Sequence, residues 1–122
     1  MGWNFKQGSG LLWNDDGTVR SVGWAGQREG KNNPAMQDVP KTGPLPVGEY
    51  TINEPHDSPH TGPYTMDLTP SPNTNMFGLD DFRIHGAAFE HPELSSEGCI
   101  IMPKPVREKI WTSGDRKLTV VA

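Results

Sequence analysis

Short segments of alternating apolar and polar residues recur along the chain, separated by clusters of glycine, proline, asparagine and aspartate. Such alternation is typical of strands that bury one face. It predicts strands at residues 49–52, 64–69, 82–86 and 117–121, and a buried strand, or a turn leading into one, at 98–102. A turn sequence, NDDG at residues 14–17, separates β-favouring residues 11–13 from 18–22 and predicts a β-hairpin. We therefore expect about seven or eight short strands.

Two segments depart from this pattern. Residues 105–111 are typical of a short helix, with Pro105 near the first position and Gly114 as a stop. Residues 26–46 are rich in Gly, Asn, Pro, Gln and Lys without apolar periodicity, which predicts a long irregular loop. Loops of this length in a compact domain are usually functional or disordered, so we expect this loop to form a wall of a site.

Composition narrows the fold class. The chain has 122 residues, of which 14 are Gly and 12 are Pro, and this disfavours a helical bundle. Its length fits one compact domain, 1–122. Only 33% of residues are hydrophobic and the mean hydropathy is -0.64, yet four Trp, four Phe and two Tyr supply large core side chains. We expect a mainly β, mostly antiparallel single domain with one short helix.

Charge and chain ends exclude several classes of protein. The net charge of -4 provides no basic field for a nucleic-acid backbone. No apolar run approaches the roughly 20 residues that span a bilayer, so we expect no membrane insertion. The first residues, MGWNF, show neither a basic region nor an apolar one, so we expect synthesis in the cytoplasm without a Sec signal. The only cysteine, Cys99, excludes an intramolecular disulfide and is either a core residue or a nucleophile.

The segment most informative about chemistry is 82–102, FRIHGAAFEHPELSSEGCIIM. Strand alternation places Arg83 and His85 on one face. A catalytic thiol needs an imidazole within hydrogen-bond reach and amide N–H groups that stabilise the oxyanion. His85 and Cys99 form a candidate pair, and the amides of Gly98 and Cys99 are candidate oxyanion donors. The other interpretation is that Cys99, followed by apolar residues, is an inert core side chain.

Other residues near this segment leave alternatives open. His91, which precedes Cys99 in a predicted loop, competes with His85 as the base. Arg83 either binds a substrate carboxylate or forms a salt bridge. Five acidic residues surround the segment, and three interpretations of them are open. Their negative charge opposes a thiolate, or they form a docking face for a basic partner, or they lie in a solvated loop. They are Asp80, Asp81, Glu90, Glu93 and Glu97.

A metal site is the weaker interpretation of the remaining histidines. His56 and His60 would bind zinc together with Cys99 or Asp57. Pro59 lies between the two histidines and argues against a helical His pair. We therefore expect neither a metal nor another cofactor.

Two motifs, IHG at residues 84–86 and SEGCI at 96–100, resemble the signature of the L,D-transpeptidase (YkuD-type) family. Together with GKNNP at residues 30–34 and GPLPVGEY at 43–50, in this order, they are similar to the small L,D-transpeptidase effectors of type VI secretion systems. The likeness spans most of residues 3–120. It implies a β-sandwich or open barrel with one short helix after the nucleophile.

The resemblance also implies roles for individual residues. Cys99 is the implied nucleophile, His85 its base and later acid, and the Gly86 carbonyl the group that orients the imidazole. The implied substrate-binding residues are Arg83, Ser96, Asn32, Asn33 and Tyr50. The chain departs from housekeeping members of the family at Glu97, where they carry a second His, and at Ile101, where they carry Arg or Asn.

The implied activity is attack on peptidoglycan stem tetrapeptides through a thioacyl-enzyme, which gives L,D-carboxypeptidase activity, exchange of the terminal D-amino acid, or both. The implied partners are the stem peptide, a cognate immunity protein and the secretion machinery, with action in the periplasm of a target bacterium. The alternative is a catalytically inactive module that binds peptidoglycan or another partner.

Overall fold

The computed structural model describes residues 2–88, 91–92 and 96–122. Within these ranges the chain forms ten short strands and one α-helix. The strands are β1 (Trp3–Lys6), β2 (Leu11–Asn14), β3 (Arg20–Val22), β4 (Trp24–Ala25), β5 (Gly48–Ile52), β6 (His56–Ser58), β7 (Gly62–Pro70), β8 (Arg83–His85), β9 (Ile100–Ile101) and β10 (Lys117–Val121). The helix, α1, spans Lys104–Thr112, and two short 3₁₀ turns at Arg28–Gly30 and Pro34–Met36 interrupt the long loop after β4.

The strands form one sheet in the order β3-β2-β1-β10-β5-β7-β8-β9-β4, and β6 pairs with β7. The strands at its two ends, β3 and β4, are separated in the chain only by Gly23, so the sheet curls into a nearly closed barrel. The expected mainly β fold with one short helix is confirmed. The boundaries 1–122 of the domain stay a prediction.

The expected number of strands was wrong. The described residues contain ten strands rather than seven or eight, because β4 and β6 span only two and three residues and leave no alternation to recognise. Pairing is mostly antiparallel, as expected, although β1 lies parallel to β10 and β8 parallel to β9. The hairpin of β2 and β3, the strands β5, β7, β8 and β10, and the helix lie where the sequence predicts them.

The core fills the interior of the barrel. Alternate residues of the strands point inward, as with Trp3 and Phe5 of β1 and Leu118 and Val120 of β10, all almost fully buried. Helix α1 packs Ile110 against this core. No helix in the described ranges is long and apolar enough to cross a membrane.

The parallel pair β8 and β9 positions the candidate site. Its register pairs Ile84 with Ile100 and His85 with Ile101. Directly opposed residues share a face of the sheet, so His85 and Ile101 project to the same side. Cys99 lies two residues before Ile101, where strand alternation returns to that side. The register thus makes Cys99 and His85 diagonal neighbours on adjacent strands.

Candidate active site

Strand β8 divides its side chains between the core and an open groove. Phe82, just before the strand, is 6% exposed and Ile84 is 0% exposed, and both belong to the core. Arg83 and His85 project the other way and line the groove. The prediction that strand alternation places these two on one face is confirmed.

The imidazole of His85 is buried and held in one tautomer. Its Nδ1 lies 2.8 Å from the carbonyl oxygen of Gly86, which only accepts hydrogen bonds, so Nδ1 carries the proton. Burial lowers the pKa of His85, and the positive charges of Arg107 and Arg83 lower it further, although the Gly86 carbonyl favours the protonated ring. At neutral pH the ring is therefore neutral, with Nε2 as a lone-pair acceptor.

A short turn stabilised by Ser96 presents Cys99. The Ser96 hydroxyl, fully buried, donates to the carbonyl of Cys99 and accepts from the amides of Gly98 and Gly26. Gly98 adopts φ +114°, which favours glycine. A Cβ at Gly98 would lie 2.5 Å from the Phe82 ring, so the turn packs tightly on the residue that precedes β8.

The thiol of Cys99 is protonated in this environment. Its Sγ lies 3.9 Å from the carbonyl oxygen of Asp81. Burial raises the pKa of Cys99 to about 11; the backbone amide and the charge of Arg83 oppose this rise, whereas Asp81 and Glu97 add to it. No hydrogen bond joins the thiol to the His85 ring, although the structure describes both residues. The resting pair is thus a neutral thiol and a neutral imidazole, rather than a thiolate ionised by its neighbour.

Cys99 and His85 open into one groove of about 580 Å³, the Cys99 groove. Residues 39–41 and Gly43 of the long loop form one wall, as predicted for that loop, and residues 78–83 form another. Of the residues that the structure describes, three carboxylates and two cations line it. The carboxylates belong to Asp80, Asp81 and Glu97, and the cations to Lys41 and Arg83.

A second groove of about 930 Å³, the Arg107 groove, meets the first at His85. Its walls include Trp24, Met102, Lys104 and Arg107. Four of the described residues line both grooves: His60, Thr61, His85 and Glu97. The His85 ring therefore lies at the junction of two spaces, a suitable place for a group that shuttles a proton between reactants.

A family model described as the Tlde1 domain matches residues 20–121. This chain belongs to the Tlde1 domain family. The family name denotes L,D-transpeptidase effectors of type VI secretion, which supports an enzymatic, antibacterial effector that acts on peptidoglycan and is delivered into target bacteria. The effector branch of the predicted resemblance is thereby confirmed at the level of the family, and the broader YkuD-type likeness stays a prediction. Searches of curated proteins and of solved structures gave no match to this chain.

Arg83 of this Tlde1 domain forms the salt bridge that was one of the two interpretations left open for it. Its Nε donates to Asp67 Oδ1 at 3.0 Å and its Nη2 to Asp81 Oδ1 at 3.2 Å, so the expected salt bridge exists. The side chain still lines the Cys99 groove. Contact with a substrate carboxylate therefore stays a prediction, and the two aspartates compete with it.

The other four expected substrate-binding residues lie away from both grooves. The Asn32 side chain accepts from the Ala25 amide, and the Asn33 side chain caps the turn at Pro34–Met36. The hydroxyl of Tyr50 donates to a backbone carbonyl at 2.7 Å, and burial raises its pKa. Ser96 is enclosed within the Cys99 turn. Each of these four side chains therefore stabilises the local fold and lines neither groove.

The predicted oxyanion donors differ in their availability. The Gly98 amide is engaged by the Ser96 hydroxyl at 3.2 Å. The Cys99 amide is thus the remaining candidate of the predicted pair. Its role stays a prediction.

The competing histidines separate in the fold. His91 is exposed and lines neither groove. His56 contacts Asp67 at 3.2 Å, whereas His60 lies at the junction of the grooves, so the two do not form a common site. No group of three or more metal-ligating side chains occurs among the residues described here. Glu90 and Glu93, which the sequence also placed near the site, lie outside the described residues.

Sequence reasoning missed several groove residues. Trp24 and Arg107 reach the groove only through long-range packing, because β4 pairs with β9 and α1 folds back beneath Gly86. A Cβ at Gly86 would lie 2.7 Å from the Arg107 guanidinium. Gly86 of the IHG motif, a residue without a side chain, was the one feature of the sequence that indicated the close packing of another residue at this position.

Proposed function

We propose that this Tlde1 domain cleaves or exchanges the terminal D-amino acid of peptidoglycan stem tetrapeptides by means of Cys99. The proposal rests on one arrangement: the single cysteine and a histidine of fixed tautomer line the same groove. A neutral imidazole with Nε2 unprotonated is the form of histidine that accepts a proton.

In the first half of the reaction, Cys99 Sγ attacks the carbonyl carbon of the third stem residue. The thiol proton passes to His85 Nε2 as the C–S bond forms, since the raised pKa of Cys99 disfavours a free thiolate beforehand. The Cys99 amide stabilises the oxyanion. The C–N bond to the terminal D-alanine then breaks, and His85 returns the proton to the departing amine.

In the second half, a nucleophile attacks the thioester carbonyl. Water gives the tripeptide and hence L,D-carboxypeptidase activity, whereas a D-amino acid gives exchange. In either case the nucleophile transfers a proton to His85, which protonates the departing Cys99 sulfur. The two grooves that meet at His85 provide space for the peptide on one side and for the departing or incoming group on the other.

Membership of the Tlde1 family supports the biological setting that we propose. The protein is made in the cytoplasm of the attacking bacterium, is carried by the type VI machinery and acts in the periplasm of the target. An immunity protein that blocks the groove protects the producer. Deletion of the gene for that partner is expected to make cells sensitive to the wild-type toxin and not to Cys99→Ala.

Purified stem peptides test the activity. The wild-type protein, incubated with tetrapeptide muropeptides, is expected to produce tripeptides, and with added D-methionine to produce tetrapeptides that carry the new residue, both measured by mass spectrometry. Cys99→Ala, which keeps Cβ and the packing of the turn, is the matched control and should produce neither. Absence of conversion by folded wild-type protein would overturn the proposed activity.

A second candidate function, binding without catalysis, draws on the protonated thiol and its contact with Asp81. Under that hypothesis muropeptides bind to the wild-type protein and to Cys99→Ala with equal affinity, and no acyl-enzyme forms. Intact-protein mass spectrometry after rapid acid quenching separates the two functions, because a thioacyl adduct appears only with the enzyme.

A further inference from the structure

Arg107 is a buried cation without a counterion in the described part of the chain. Its side chain is 4% exposed. Three of its N–H groups donate to backbone carbonyls, those of Met102, Tyr64 and Pro63. A guanidinium has five N–H donors, so two are left by these contacts. A buried charge that pairs only with neutral carbonyls is incompletely compensated, and an anion in the adjoining groove would complete its environment.

Trp24, which lines the same groove, has a second unpaired donor. Its indole Nε1 is buried and has no hydrogen-bond partner among the described residues. Trp24 pairs with Ile101 across β4 and β9, and Ile101 pairs with His85 across β9 and β8. Trp24, Ile101 and His85 thus lie side by side across three neighbouring strands, and the Trp24 indole is on the same face of the sheet as the His85 imidazole.

The two grooves also differ in charge. Among the residues that the structure describes, the Cys99 groove carries three carboxylates against two cations, whereas the Arg107 groove carries Lys104 and Arg107 against one carboxylate, the exposed Glu97. A carboxylate ligand next to His85 is thus repelled on one side and attracted on the other.

From these observations the structure assigns the Arg107 groove as a subsite for the α-carboxylate of an amino acid. The inference rests on the proposed function, which places the amine of the departing or incoming amino acid at His85 Nε2. The carboxylate lies one carbon from that amine, so it must enter a space that adjoins His85. Departure of the terminal amino acid and attack by an incoming one are the reverse of each other at this subsite. When the amino acid departs, its C–N bond to the stem peptide breaks and its amine gains a proton from His85. When an amino acid attacks the thioester, the C–N bond forms as the C–S bond breaks, and the amine gives up a proton to His85.

Binding tests the subsite without any turnover. The Cys99→Ala protein, labelled with ¹⁵N, is titrated with D-alanine and separately with D-alaninamide, which lacks the negative charge. The indole signal of Trp24, assigned by its loss in Trp24→Phe, is expected to shift and saturate with D-alanine only. An equal shift with the amide, or no shift with either compound, would overturn the inference.

Catalysis gives an independent comparison. The wild-type enzyme is expected to favour a stem tetrapeptide over its C-terminal carboxamide at least tenfold in kcat/KM, and Trp24→Phe should narrow this ratio several-fold. Trp13→Phe, which removes an indole N–H from β2 outside the groove, is the matched control and should leave the ratio unchanged. Equal turnover of acid and amide contradicts the subsite alone. If the enzyme turns over neither the acid nor the amide, the proposed function is contradicted. The titration with D-alanine then still tests the subsite.

Discussion

The carbonyl oxygen of Gly86 holds the Nδ1–H of His85 at 2.8 Å, so the orientation of the ring depends on the residue that follows it in the chain. In many dyads a distant carboxylate has this task and also stabilises the imidazolium. A neutral carbonyl also orients the ring, but it stabilises the positive charge of the imidazolium less than a carboxylate does. Together with burial and the nearby arginines, this arrangement favours a neutral ring, consistent with the lowered pKa of His85.

The identity of the base gives the first prediction. His85→Gln is expected to reduce kcat/KM for stem tetrapeptides at least about a hundredfold, because general-base catalysis is lost. His91→Gln should change kcat/KM less than twofold, since His91 lines neither groove. Steady-state kinetics with both variants checks this prediction. The opposite ranking would make His91 the base.

The ionisation of the Cys99 thiol gives the second prediction. Because burial raises the pKa of Cys99 to about 11, the rate of iodoacetamide modification is expected to rise about tenfold per pH unit from pH 7 to pH 10. The chain has one cysteine, so the mass of the adduct reports this site alone and Cys99→Ala provides the blank. A rate that reaches its plateau below pH 8 would instead reveal a thiolate–imidazolium pair.

The fold class could be predicted from the sequence, and so could the face of β8 that carries the candidate base. Alternation places Phe82 and Ile84 in the core and Arg83 and His85 in the groove because the period of a strand is a local property. The proximity of Cys99 to His85 could be anticipated from a family motif alone. The register between β8 and β9, which creates it, is a long-range property.

The remaining site residues show what local patterns miss. Asn32, Asn33 and Ser96 belong to recognisable motifs, yet their side chains hold turns, since short polar groups satisfy nearby amides readily. Arg107 lies in a predicted helix whose sequence gives no sign that this cation is buried. Motif membership alone thus does not separate structural side chains from those that line the grooves.

The buried hydroxyl of Ser96 gives the third prediction. Ser96→Ala removes the acceptor of two amides and the donor to the Cys99 carbonyl in a site without solvent access. We expect the free energy of unfolding to fall by about 3 kcal/mol, the usual scale for such unsatisfied groups. Urea denaturation measures it. Ser9→Ala, which loses an exposed contact with the Leu11 amide, should cost below about 0.5 kcal/mol and serves as the control.

The last prediction separates backbone strain from close packing at the Cys99 turn. Gly98 and Gly17 both adopt positive φ, +114° and +75°, so alanine strains the backbone at either position. At Gly17 a Cβ meets nothing within 4 Å, whereas at Gly98 it lies 2.5 Å from the Phe82 ring and 3.1 Å from the Gly43 carbonyl.

Gly17→Ala is therefore expected to cost about 1 kcal/mol of stability, from backbone conformation alone, and to leave turnover unchanged. Gly98→Ala should cost about 3 kcal/mol or more, because overpacking is added to the strain. Since Gly43 and Phe82 both line the Cys99 groove, the same change should displace Cys99 and reduce kcat at least tenfold. Equal effects of the two substitutions on stability and turnover would mean that the turn adapts freely, and that close packing against Phe82 does not position the thiol.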